Sequence, residues 1–183
     1  FMILDEVQSG NGRTGKYFAY QHADILPDIV TTAKGLANGF PIGVCMARGK
    51  AATVLQPGNH GSTFGGNPVS MAALCATQDE MRLHDAPHNA QERGEQLRAG
   101  LLAMQERHPS WIGDVRGMGL MQGIELVKDP VSQEPDTERP ARPMNAPRAE
   151  GVPLAPGALN GTVLRVAPAL LLPRSEQAPV TSQ

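Results

Sequence analysis

The sequence is poor in cysteine, in net charge and in long apolar runs, and each shortage removes a class of protein. Only Cys45 and Cys75 are present, thirty positions apart and outside any CxxC spacing. Thiols so placed suggest neither a disulfide framework nor a zinc site, and a reducing, cytoplasmic setting is expected. Lys and Arg total 16 against 18 Asp and Glu, a net charge of -2. No electrostatic bias therefore points to nucleic acid or to an anionic membrane. The longest apolar stretches are a few residues, far short of the roughly 20 that cross a bilayer. No basic segment precedes an apolar one at the start of the chain. It opens instead on Phe1-Met2-Ile3-Leu4, which reads as the middle of a buried strand and implies that further chain precedes it. The 183 residues suffice for one ordinary domain, or for an incomplete domain and a small second one. Small molecules or another protein remain as partners.

What is present is a succession of short apolar runs, turns and two helical patterns. Phe1 to Leu4, ended by Asp5-Glu6, reads as a core strand whose C-terminal end delivers carboxylates to a cleft. A glycine-rich turn over Ser9 to Gly15 and a short helix over Lys16 to His22 follow. Asp28 to Thr32 and Ile42 to Met46 read as two more strands; between them Gly35, Gly39 and Pro41 give turn chemistry. Asn67-Pro68 caps and starts a helix running to about His84, with Val69, Ala72, Ala73, Ala76 and Met81 expected inward. A second helix, about Asn89 to Arg107, places Leu97, Leu101 and Met104 inward before Pro109 stops it. Short strands around Ile112 to Arg116 and Leu120 to Val127, parted by Gly117 and Gly119, and a last one over Thr162 to Val166 suggest a small α+β unit. Lys128 to Gly157 holds seven prolines and is expected to be mostly loop; Arg174 to Gln183 keeps only a stub of helical character. The expected division is an α/β part over 1–84 and a small α+β domain over 85–183 that includes the proline-rich loop 128–157.

Chemistry concentrates in the first part. Lys34 follows a strand, sits inside a glycine-containing turn and has no carboxylate within four residues. Confined beside a cleft, its amine would be partly desolvated and freed to attack an aldehyde; on position alone a surface lysine is the plainer reading. Asp5 ends the first strand, where a carboxylate can hold a ring nitrogen protonated, and Gln8 offers an amide donor to a ring oxygen. The run His60-Gly61-Ser62-Thr63-Phe64-Gly65-Gly66-Asn67-Pro68 puts hydroxyls and glycines ahead of a helix start, as phosphate binding requires and as any turn before a helix also allows.

The strings LDEVQSGNGRTGKYFA, DIVTTAKGLANGFPIG and HGSTFGGNP, with 29 positions from Asp5 to Lys34 and 29 more to Thr63, resemble the class III pyridoxal-phosphate aminotransferases of the acetylornithine/ornithine type. The likeness runs strongly over Phe1 to about Glu80 and less closely to Leu126 through DVRGMGLMQGIEL. It implies a fold-type I α/β transferase, of which this chain carries the C-terminal part of the large domain and a small C-terminal domain. It implies that Lys34 forms the Schiff base with pyridoxal 5'-phosphate and then shuttles the substrate proton. Asp5 would pair the pyridine nitrogen, Val7 pack on the ring and Gln8 bond its hydroxyl. Thr63 would reach the phosphate of the neighbouring subunit, so a homodimer is implied. Arg165, in Val163-Leu164-Arg165-Val166-Ala167-Pro168, would grip the substrate α-carboxylate as a bidentate fork. The implied substrates are an amino-acid donor such as acetylornithine or ornithine and the 2-oxo acid 2-oxoglutarate. Related alternatives are 4-aminobutyrate or alanine-glyoxylate transamination and an aminomutase. The family's phosphate cup and ring-stacking aromatic come from a part of the chain not present here.

Two further readings stand beside it. Gly10-Asn11-Gly12-Arg13-Thr14-Gly15 satisfies G-x-G-x-x-G, yet Asp5 to Ser9 intervene between strand and motif, which is the wrong context for a dinucleotide site. A chain that opens inside a strand also fits a truncated product without catalysis, exposing unpaired strand edges. His84 and His88 are expected on the surface, and Met118 and Met121 as core or gap filler.

Overall fold

The computed structural model describes residues 1–136, 154–157 and 161–173. The chain forms two compact units, residues 1–88 and 89–183; the expected division after residue 84 falls at the end of a helix.

The first unit is a three-stranded sheet with one helix. β1 (Ile3–Asp5) runs parallel to β2 (Ile29–Thr32), which pairs antiparallel with β3 (Val44–Ala47). A parallel pair needs a long crossover, and here it is the loop between Glu6 and Asp28, whose regular structure is a single 3-10 turn, Ala19–His22, where a helix over Lys16 to His22 was expected. Side chains alternate along β2. Val30 and Thr32 are buried while Ile29 and Thr31 are half-exposed, so one face of the sheet is covered and the other open. Residues 33–41 hold one 3-10 turn, Lys34–Ala37, between β2 and β3.

The helix α1 (Pro68–Leu83) begins where Asn67 Oδ1 accepts the Ser70 amide at 2.9 Å, with proline at its first position. Its covered face is not the apolar stripe expected. Val69 is 63% exposed and Ala72 and Ala76 are exposed, whereas Ser70 and Met81 are buried and Ala73, Thr77 and Gln78 half-buried. The helix is rotated because it packs on the turn Lys34–Ala37, and backbone carbonyls there call for donors. Ser70 Oγ donates to Pro41 O at 3.1 Å, and Gln78 Nε2 to Leu36 O at 3.3 Å.

The second unit is built on α2 (Ala86–Arg107), which starts before the expected Asn89 and runs through Pro87 in its first turn, a position where the missing amide costs nothing. Four antiparallel strands follow, β4 (Ile112–Met118), β5 (Met121–Leu126), β6 (Leu154–Gly157) and β7 (Val163–Val166), in the order β4-β5-β7-β6. Leu97 and Leu101 of α2, Ile112, Val115, Leu120, Ile124, Leu126, Leu164 and Val166 form one buried cluster, with Met104, Trp111 and Leu170 packed against it. Gly94 of α2 lies so close to Gly119 that a Cβ would overlap its backbone. The β4–β5 turn needs Gly119 at φ 53° and Gly117 at φ 147°. Two expectations are corrected here. β6 lies inside the proline-rich segment expected to be mostly loop; among the described residues it is an edge strand, a place in a sheet that tolerates Pro156. Met118 is 49% exposed rather than core, since it stands at the tip of the hairpin. Within the proline-rich loop, residues 128–136 are turns and irregular chain, with Lys128 Nζ on Glu134 Oε1 at 2.6 Å; residues 137–153 and the stub over Arg174 to Gln183 lie outside the described residues.

Candidate active site

β1 and β2 are parallel neighbours, and Asp5 is the register partner of Thr31. Both strands therefore end at the same edge, where crossover loops of α/β sheets gather functional groups. Asp5 is exposed, and its Oδ1 accepts the Val7 amide at 2.9 Å. That bond fixes the carboxylate and leaves Oδ2 without a hydrogen bond among the described residues. Val7 is half-buried and Gln8 exposed on the turn that follows.

Glu6, expected to deliver a second carboxylate to the cleft, does other work. It is 3% exposed and accepts the Ser9 hydroxyl at 2.5 Å, the Ala19 amide at 3.1 Å and the Tyr20 amide at 2.9 Å. Gly10 closes on the Glu6 carbonyl at 2.9 Å, and a Cβ there would fall 2.6 Å from the same oxygen. The crossover is thus folded around a buried acid. Residues 10–15 stay in turn conformation and open no helix, contrary to what a dinucleotide fingerprint requires. Arg13 in this loop has its pKa lowered by burial. Tyr17, whose hydroxyl donates to Gln78 Oε1 at 2.8 Å, has its own raised by burial, with the Arg82 charge opposing.

Lys34 lies just beyond β2, two residues past buried Thr32. It is exposed, and among the described residues its ammonium makes no hydrogen bond or ion pair. Its φ is 51°, in the left-handed region that a residue with a Cβ enters at a cost. Such a conformation persists only where the surroundings hold it, and it clusters at functional positions. The restraints are visible. Asn11 Nδ2 donates to Thr32 Oγ1 at 3.0 Å and to Ala33 O at 3.1 Å, Leu36 N donates to Ala33 O at 3.1 Å, and Gln78 holds Leu36 O. Leu36 and Ala37 are buried beneath.

The fold thus gathers Asp5, Val7, Gln8 and Lys34 at one edge of the first sheet. Thr63 lies on the exposed loop 60–66 ahead of α1, beside Phe64, which is 81% exposed. Arg165 belongs to the second unit. It sits mid-β7 between Gly123 of β5 and Ala155 of β6, on the face away from Leu164 and Val166, half-exposed and without an ion pair among the described residues. Sequence reasoning missed Asn11 and Gln78. For Asn11 a signal existed, since Asn before Gly inside a glycine run marks a left-handed turn residue. For Gln78, on a helix without a neighbour in sequence to explain it, there was none.

The family description "Aminotransferase class-III" matches residues 1–182. Acetylornithine aminotransferase of Synechocystis sp. is 41% identical over 177 residues, 97% of this chain and 39% of that protein. The enzyme of the same name from Mycobacterium tuberculosis is 47% identical over 156 residues, 85% and 38%. Among solved structures, a transaminase from the marine bacterium Virgibacillus superposes with a TM-score of 0.89 at 26% identity, over 98% of this chain and 43% of that one. Ornithine aminotransferase from Toxoplasma gondii ME49 gives 0.85 at 31%, over 98% and 41%. The chain spans about two fifths of the length of these proteins.

Proposed function

The chain belongs to the class III aminotransferase family and has the α/β fold of those transaminases, and from that premise we propose that it supplies the amine, the ring-pairing acid and the substrate-gripping arginine of an acetylornithine/ornithine-type transaminase. The proposed partners are an amino-acid donor, 2-oxoglutarate and a second copy of the protein. Donors of the acetylornithine type are favoured by the names of relatives 41–47% identical.

Pyridoxal phosphate fits the described residues at two points. Asp5 offers an oxygen with no partner while the other is pinned by Val7, which suits a charged ring nitrogen. Lys34 offers an unpaired amine beyond the end of the neighbouring parallel strand, on a backbone held in a strained conformation. That strained lysine, just beyond the strand parallel to the one that ends on an oriented acid, is the observation that carries the reading. When bound, the cofactor would supply an electron sink for the substrate α carbon.

Each residue then has a task its position supports. The Lys34 amine would hold the cofactor through its aldehyde and would be the base placed to take and return the substrate α proton. Asp5, oriented by the Val7 amide, keeps the ring nitrogen protonated. Val7 would pack on the ring and Gln8 would donate to its oxygen. Thr63, exposed ahead of α1, is free to meet the phosphate held by a neighbouring subunit. Arg165, with no ion pair among the described residues, keeps its five donors for a substrate carboxylate.

The test uses a full-length protein containing this chain. Wild-type protein is expected to bind pyridoxal phosphate with a visible absorption band and to transaminate N-acetylornithine or ornithine faster than 4-aminobutyrate. Lys34→Ala is expected to lose both the band and borohydride-trapped cofactor. Covalent cofactor retained in Lys34→Ala overturns the assignment.

A further inference from the structure

We infer that Asn11 and Gln78 are positioning residues for Lys34, gripping the backbone on either side of it so that its left-handed conformation is fixed before any ligand arrives. The inference rests on the reading of Lys34 as the anchoring lysine.

Asn11 combines two properties that few residue types supply together. Its own φ is 57°, a region asparagine tolerates and most side chains do not. Its carboxamide, on a residue 6% exposed, sends Nδ2 to both Thr32 Oγ1 and Ala33 O. Ala33 O can only accept, so the amide orientation is settled: nitrogen faces Ala33, and Oδ1 is the atom left buried without a partner. Glycine would take the backbone conformation and lose both donors. Aspartate would take it too and turn an acceptor toward a carbonyl. Longer amides would give the donor and resist the φ.

Gln78 works from the other side. Its Nε2 donates to Leu36 O, and Tyr17 donates to its Oε1 at 2.8 Å, which fixes which end of the amide faces the turn. Lys34 is therefore bracketed, with Ala33 O held from the crossover loop and Leu36 O held from α1. Neither residue touches the amine itself. Both restrict where the amine can point, and positioning of a reacting group governs turnover more than substrate affinity.

The test again uses full-length holoenzyme. Asn11→Gly keeps the backbone conformation and removes the donors. Gln78→Leu removes the second grip from a half-buried helix position, and serves if the first variant does not fold. Each is expected to lower kcat by about tenfold with KM for the amino donor changed less than about twofold. Each is also expected to displace the pH midpoint of the visible band of lysine-bound cofactor. A folded Asn11→Gly or Gln78→Leu variant with wild-type kcat and midpoint overturns the inference. Lys34→Ala measured alongside separates the failures: covalent cofactor surviving there sinks the assignment of Lys34, whereas its loss, with unchanged positioning variants, sinks this inference alone.

Discussion

In residues 89–183, α2 and the four-stranded sheet enclose Leu97, Leu101, Leu120, Leu126 and Val166 so fully that each is at most 1% exposed. In residues 1–88 of a chain that spans about two fifths of its relatives' length, the described core is Val30, Leu36, Ala37, Ala51, Met81 and Ala86, while Phe1, Ile3, Leu26, Val54, Leu55 and Phe64 are each more than half exposed. A buried aliphatic side chain contributes roughly 1.5–3 kcal/mol, so the second unit is held by its apolar cluster. In the first, polar side chains take up backbone groups: Glu6 in the crossover, Asn11 at the end of β2, Ser70 and Gln78 along α1. The proposed chemistry resides mainly in the first unit. Catalytic loops need defined geometry more than bulk stability, and directional hydrogen bonds supply it where apolar contact does not.

The contrast can be tested within one intact chain, because its single tryptophan, Trp111, packs on the second core and both tyrosines, Tyr17 and Tyr20, lie in the first unit. The largest effect is expected from Gly94→Ala. A methyl there would overlap Gly119, and overpacking against backbone costs about 3 kcal/mol. Denaturation followed by Trp111 fluorescence should shift by that amount while tyrosine absorbance keeps its midpoint. Coincident shifts of both signals would show one cooperative body and break the comparison. Next comes Glu6→Ala, which strands the Ala19 and Tyr20 amides and the Ser9 hydroxyl, at about 2 kcal/mol. Here the tyrosine signal should move and tryptophan should not. A wild-type tyrosine midpoint would mean that the crossover loop is not organised by its buried acid.

The same contrast explains what could be read in advance. The strands ending at Asp5 and Thr32, the helix start at Asn67-Pro68 and the second core on Leu97 and Leu101 follow from apolar period and from proline and glycine punctuation. Those signals are local. The covered face of α1 was misjudged because Ser70 and Gln78 face inward to meet carbonyls contributed by residues 36 and 41, which periodicity cannot see. Glu6 was taken for a cleft acid because its burial depends on two amides in the 3-10 turn. β6 was missed because a strand at a sheet edge tolerates the proline that argues against one elsewhere. Of the candidate site, the proposed residues are types at spacings, whereas the bonds of Asn11 and Gln78 to the backbone beside Lys34 join segments far apart in sequence, which spacing does not reveal.

The smallest effect is expected from Arg116→Ala, and it sharpens the comparison by showing what does not support the second unit. Arg116 Nη1 bonds Asp114 Oδ2 at 2.6 Å and Glu125 Oε2 at 2.5 Å, and these partners, Asp114 first, raise its pKa above the ordinary arginine value. A group with a raised pKa stabilises fully below its unfolded value and loses that contribution as pH rises through the folded one. For arginine both lie far above neutrality, so stability on its account should be flat across the neutral range. With its side chain 49% exposed, solvent screening reduces the pair to about 0.5 kcal/mol or less. Trp111 fluorescence in low and high salt should therefore give nearly the same midpoint for wild type and variant. A loss comparable to that of Gly94→Ala would mean that surface charge, rather than the enclosed leucines, holds the second unit, and the distinction between the two halves would vanish.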